Sequence, residues 1–259
     1  MGALIACGNL VLLIRMNTQK AWVSQTQQLA SESMKMVSKL FLIMILLVLT
    51  EASAQTYNYK VKYGMVPAGV ASLVHTVENG ILKSYLSIES SPWLSTLWTL
   101  SDSIFSIYLL EPKRMLQHTK AIHEGSYHRN YDVSFNDSDT ISINGKEKII
   151  EDQDFKDIPS LLYELSMTEF KNGDTLYFQI WDGRSHGELG LLVEKIAKPS
   201  LLKPFNEPGW RLTPLSSSRK SRENKIKLAM LYSNSFPHSP LRIEIDTKYG
   251  NVLMRLDEP

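Results

Sequence analysis

The segment Tyr57-Asn58-Tyr59-Lys60-Val61-Lys62-Tyr63 alternates large apolar and polar side chains without a break. Side chains of an extended chain point to opposite faces in turn, so Tyr57, Tyr59, Val61 and Tyr63 share one face of a strand. Gly64 to Gly69 turns the chain, Val70 to Val77 reads as a second strand, and Asn79-Gly80 follows. Both residues of that pair tolerate positive φ in a type I′ turn, so Ile81 to Glu89 is expected to return antiparallel. A chain that opens this way is committed to hairpins before any helix is met.

The same grammar continues downstream. Ser91-Pro92 suits the N-cap and first position of a short helical break. From Ser103 to about Asp154 strand signals return: Ile104, Ser106 and Tyr108 alternate with Phe105, Ile107 and Leu109, and Tyr127 to Phe135 and Thr140 to Ile150 follow. Asn136 to Asp139 and Asn144-Gly145-Lys146 read as turns. Thr175 to Trp181, Lys225 to Tyr232, Leu241 to Asp246 and Val252 to Leu256 are the later strands. One helix is firm. Asp157 caps it, Pro159 lies early, and apolar residues 158, 161, 162 and 165 fit the i, i+3, i+4, i+7 template, with Lys171-Asn172-Gly173 ending it. The expected class is all-β, mainly antiparallel, a curved sheet or partly closed barrel with one short helix near 157–169.

Upstream, Lys35 and Lys39 precede the apolar run Leu40 to Leu49, and Ala52-Ser53-Ala54 gives a small-x-small pattern before Gln55. Residues 34–54 thus read as a secretory signal peptide cleaved between Ala54 and Gln55, initiating at Met34 or Met36. An uncleaved anchor is the alternative, although ten apolar residues are short for a bilayer. Residues 1–33 then form an extension from a mis-assigned start or a disordered segment, and 55–259 a single exported β-domain placed in the periplasm or cell envelope of a bacterium. Strand alternation begins at Tyr57, and nothing upstream is expected to extend it.

The formal net charge of +1 gives no global attraction to nucleic acid. The single cysteine, Cys7, excludes a disulfide framework and a multi-cysteine metal site. Gly183-Arg184-Ser185-His186-Gly187 matches the G-x-S-x-G of a nucleophile elbow, which would make the protein a serine hydrolase using Ser185. That elbow joins a strand to a helix in a parallel sheet, whereas Asp182-Gly183 is itself a hairpin dipeptide, so a turn serine is the preferred reading and no catalytic residue is assigned. His123 and His128 are five apart, which on one strand points them to opposite faces. A bulge at Gly125 could bring them together, with His118 near, but solvated strand histidines are preferred, and neither metal nor cofactor is expected. The basic stretch 216–227 reads as a solvated loop, or alternatively as a contact for anionic lipid.

Trp93, Trp98, Phe105 and Tyr108 crowd the first helical break. Core filling accounts for aromatics in general, yet a curved antiparallel sheet can also hold an apolar molecule on its concave face. These four are the candidate ligand-binding residues. The expected function is a non-catalytic envelope protein that binds a lipid or other apolar ligand, the alternatives being the Ser185 hydrolase or a structural domain with a protein partner in an envelope assembly.

Several short motifs together resemble the bacterial exported family known as domain of unknown function 3108. They are Tyr59-Lys60-Val61-Lys62-Tyr63-Gly64 with Ala68-Gly69, Glu124-Gly125-Ser126-Tyr127, Asp157-Ile158-Pro159-Ser160-Leu161-Leu162-Tyr163, Gly173-Asp174, Asp182-Gly183, and Pro240-Leu241-Arg242-Ile243-Glu244 with Gly250-Asn251-Val252. The resemblance implies an envelope β-domain and brings no catalytic residues.

Overall fold

Period-two patterning builds one 15-stranded sheet in the computed structural model, which describes residues 53–96, 99–136, 140–150, 154–197, 208–215, 227–247 and 250–257. The first eight strands run as a meander: β1 (Ser53–Tyr63), β2 (Val66–Glu78), β3 (Ile81–Ser90), β4 (Ser101–Leu109), β5 (Arg114–Glu124), β6 (Tyr127–Phe135), β7 (Thr140–Ile143) and β8 (Lys146–Ile149). A second meander comprises β9 (Phe155–Lys156), β10 (Thr175–Trp181), β11 (His186–Ile196), β12 (Gly209–Pro214), β13 (Lys227–Ser233), β14 (Pro240–Thr247) and β15 (Gly250–Leu256). Two helices interrupt them, α1 (Pro92–Ser95) and α2 (Ile158–Ser166). The meanders join where β1 pairs antiparallel with β15, and the sheet ends at β8 on one side and β9 on the other. Among the described residues, only β9 with β10 is parallel.

Asn79-Gly80 and Asn144-Gly145 both have the positive φ angles of the expected turns, at 52° and 75° and at 49° and 79°. The second turn splits the stretch Thr140 to Ile150 into two short strands. At the other end, β1 begins at Ser53 rather than Tyr57, pairing Ser53 with Val77 and Ala54 with Thr76. Backbone hydrogen bonding to the long strand β2 carries the pairing past the point where side-chain alternation is visible.

One face of the sheet curls around α2. Tyr59 and Val61 of β1, Ala71 and Leu73 of β2, Leu191 and Val193 of β11, and Tyr232 of β13 converge on Leu161, Leu162 and Leu165. Asp157 starts the helix in a reciprocal capping box: its carboxylate accepts from the Ser160 N–H at 3.1 Å, and Ser160 Oγ accepts from the Asp157 N–H at 3.0 Å. The helix stops at Ser166, short of Gly173. Ser166 Oγ donates to the Leu162 carbonyl at 2.9 Å, and its own carbonyl accepts from the His238 N–H at 2.8 Å, so the last turn is tied to the chain before β14.

A second cluster draws the two ends of the sheet toward each other. Phe135 of β6 meets Trp181 of β10 edge-on at 5.6 Å and Phe155 of β9 at 6.2 Å, with Leu82, Tyr108, Met115 and Val133 around them. The expected mainly antiparallel, incompletely closed sheet therefore forms, with the expected short helix at Ile158–Ser166 and the four-residue α1 besides.

Candidate functional site

The concave face is not uniformly apolar. His75 pairs in register with Ser84, Ser84 with Ser106, and Ser106 with His118, so four polar side chains make one row across β2, β3, β4 and β5. Each is at most 1% exposed. His75 Nδ1 lies 2.9 Å from Ser84 Oγ, and its ring packs edge-on against Tyr163 of α2 at 5.4 Å. At the other end, His118 Nδ1 is 2.8 Å from Asp157 Oδ2, tying β5 to the helix cap. Next to it, the buried Lys156 ammonium donates to Tyr108 Oη at 3.0 Å and to Asp154 Oδ1 at 2.7 Å, which joins β4 to β9. Burial, then the Asp154 carboxylate that accepts its hydrogen bond, holds the Tyr108 phenol above its ordinary pKa.

This polar layer predicts a pH response. Burial pushes His75 down to about 4, with the Asp157 charge opposing only in part. Above pH 6.5 the ring is neutral folded or unfolded and contributes nothing to pH dependence. As pH falls through the window from 6.5 to 4, the unfolded chain takes up a proton that the native state refuses, so stability is lost. Urea unfolding should show a loss of about 2 kcal/mol between pH 7 and pH 5 from this residue alone. The slope should flatten in His75→Gln, and an unchanged slope would exclude His75 as its source.

An apolar cleft of about 650 Å³ opens at one end of the concave face. The end of β1 (Val61 to Tyr63), the start of β2 (Val66 to Gly69), Ile88 of β3, Leu100 of the approach to β4 and Val252 of β15 form its walls, and Trp93 and Leu94 of α1 line it as well. Helix α1 sits there because Ser91 and Pro92 begin it immediately after β3. Gly69 in the wall has no room for a side chain, since a methyl group would overlap the Glu89 carbonyl oxygen of the paired strand. Asp102 and Glu124 lie on the same wall. Asp102 Oδ1 accepts from the His123 N–H at 3.0 Å. Burial, then the neighbouring Asp102 charge and their shared hydrogen bond, holds the Glu124 carboxyl above the usual range, and Lys120 partly opposes this.

The three described candidate aromatics, Trp93, Phe105 and Tyr108, are not brought together. Trp93 lines the cleft at 48% exposure. Tyr108 is buried in the second core cluster, where its hydroxyl serves the Lys156 tie. Phe105 alternates with Ser106 on β4, so it lies on the outer face, in register with the exposed Tyr85. Trp98 lies outside the described residues, as does the signal-peptide segment 34–52. Phe105 and Tyr108 are close in sequence but point apart, because odd-spaced strand residues lie on opposite faces.

Ser185 sits in the loop of the antiparallel β10–β11 hairpin, not in a strand-to-helix turn. Asp182 Oδ1 accepts from the Arg184 and Ser185 N–H groups at 2.8 and 2.7 Å, and Ser185 Oγ donates to Asp182 Oδ2 at 3.1 Å. Burial would raise the Asp182 carboxyl, but these donations outweigh it and hold it below its ordinary value. The motif is built as an Asx-type turn. His123 and His128 face each other across the β5–β6 hairpin, with ring centroids 5.1 Å apart. Their odd spacing brings them to the same side because they occupy two paired strands rather than one. His118 belongs to the buried row instead, and among the described residues no three metal-ligating side chains gather.

An open, barrel-like antiparallel sheet plugged by a helix, with an apolar cleft at one end, is the class of protein defined here. Among solved structures, a crystal structure of a "Beta-barrel-like Protein of Domain of Unknown Function DUF1849" from Brucella abortus is similar, with a TM-score of 0.52 at 7% identity over 80% of this chain and 96% of that one. At that identity the likeness concerns the fold alone. The chain belongs to the family described as "Protein of unknown function (DUF3108)", which matches residues 58–257. No curated protein matches the sequence.

Proposed function

We propose that this is a non-catalytic component of a bacterial cell envelope that binds a lipid or other apolar ligand in the cleft between β1, β2, β3, α1 and β15. The observation that carries the reading is the cleft itself: about 650 Å³ of mostly apolar wall, within the range of roughly 300–1,000 Å³ typical of small-molecule sites. Exposed apolar side chains at its rim support it, with Met65 at 95% exposure between Tyr63 and Val66 at the tip of the β1–β2 turn. Such side chains in water favour contact with an apolar partner. Export rests on the signal-like segment 34–54. Cleavage between Ala54 and Gln55 would leave the strand pairing from Gln55 onward in place.

Native mass spectrometry of the protein purified from an envelope fraction should detect a bound amphiphile. Trp93→Ala with Leu94→Ala should reduce its occupancy about tenfold, since two large apolar side chains leave the wall. Absence of any bound species, together with no uptake of added lipid, would overturn the reading. The exposed rim also favours a second reading, an interaction domain in an envelope assembly. A pull-down from envelope extracts that recovers a defined protein through Tyr63 and Met65 would support that reading instead.

A further inference from the structure

The cleft wall carries charge of mainly one sign. Lys62 is the cation among its described lining residues, against Glu89, Asp102 and Glu124, and Glu89 alternates with Ile88 on β3, which leaves Asp102 and Glu124 as the acidic pair on the side of Ile88. Asp102 and Glu124 come from adjacent strands, β4 and β5, and Leu100 bridges to Glu124 at the start of that pairing. Ile88, which is in register with Asp102, lines the cleft beside them, so the two carboxylates stand at the edge of an apolar surface rather than on an open polar one. Lys120 lies four residues before Glu124 on β5 and offsets part of their charge, but it is not on the cleft wall.

Two carboxyl groups held together at the edge of a low-dielectric cleft share a hydrogen bond only while one keeps its proton; ionised together they repel, and an added cation relieves that repulsion while gaining charge-assisted hydrogen bonds. A carboxylate ligand at the same place would face two acidic groups of its own sign. The apolar wall and the acidic pair therefore select in the same direction, one for a chain and one for its head. We propose that the cleft takes amphiphiles whose apolar chain lies along Val61, Ile88, Trp93 and Val252 and whose cationic, hydrogen-donating head group meets Asp102 and Glu124. The assignment rests on the cleft being a ligand site and names the chemical class that the site prefers.

Calorimetric titration of the full chain with decylammonium and decanoate below their micelle concentrations, and decanol below its solubility limit, separates the two levels. Binding of decanol tests the cleft, and the ranking of the three head groups tests the acidic pair. Decylammonium is expected to bind about tenfold more tightly than decanol, with decanoate weakest. Asp102→Asn with Glu124→Gln should erase the preference for the ammonium over decanol. Asparagine keeps an oxygen for the His123 N–H, and circular dichroism checks that the variant is folded. Equal binding of all three, or a preference that survives the double substitution, would overturn the head-group assignment while leaving the cleft as an apolar site. If none of the three binds, both the assignment and the cleft reading fail.

Discussion

Replacing Trp181 with alanine is expected to lower the free energy of unfolding by about 3–5 kcal/mol, the range for removing a large aromatic side chain from a packed core. Trp181 is 1% exposed and stands where β9, at one end of the sheet, approaches β6 near the other. Its ring meets Phe135 edge-on at 5.6 Å, Phe155 at 5.8 Å and the parallel ring of His186 at 6.2 Å. Because β8 and β9 do not pair, these ring contacts hold that region in place of a hydrogen-bonded ladder. Its indole nitrogen takes no hydrogen-bond partner among the described residues, so the side chain acts through its volume. Trp181→Phe should accordingly lose far less than Trp181→Ala. Urea denaturation midpoints of the two variants provide the check. Equal losses would mean that ring packing does not hold this region.

The second large effect is expected at Asp157. One carboxylate there caps α2 through Ser160 and also holds His118 of β5, with both partners of that pair 1% exposed. Asp157→Ala removes the cap and leaves a buried imidazole without its partner, a combined loss of about 3 kcal/mol. Ser160→Ala touches only the capping side and should cost about 1 kcal/mol. A double-mutant cycle between Asp157→Ala and His118→Leu should show a coupling of about 1–2 kcal/mol. Additive losses would mean that the helix and β5 are not tied through this pair.

Legibility from sequence followed a physical rule. Where local backbone chemistry decides, the reading worked: Asn79-Gly80 set a hairpin, Asp157 with Pro159 set a helix start, and Thr175 to Trp181 is the strand as expected. Strands β5, β11 and β12 were not singled out. In β5 the buried face contains His118 and a register shift opposite Ile107 and Tyr108, which breaks the apolar period. In β11 two glycines and the adjacent Leu191 and Leu192 blur it. The polar row from His75 to His118 could not be read at all, because it exists only once four strands are in register. The cleft had one legible member, Trp93. Its carboxylates, Asp102 and Glu124, are 22 positions apart and meet through strand pairing rather than through any local motif.

The junction of β1 with β15 bears on the order in which the molecule can assemble. Every other antiparallel pair joins consecutive strands, so each meander can zip from its turns by short loop closures. The central seam cannot. β1 lacks its second neighbour until β15 has emerged from the ribosome. A nascent chain would therefore hold two half-shells with uncovered inner faces, and the slow step in its maturation would be their meeting at Tyr59 and Leu256.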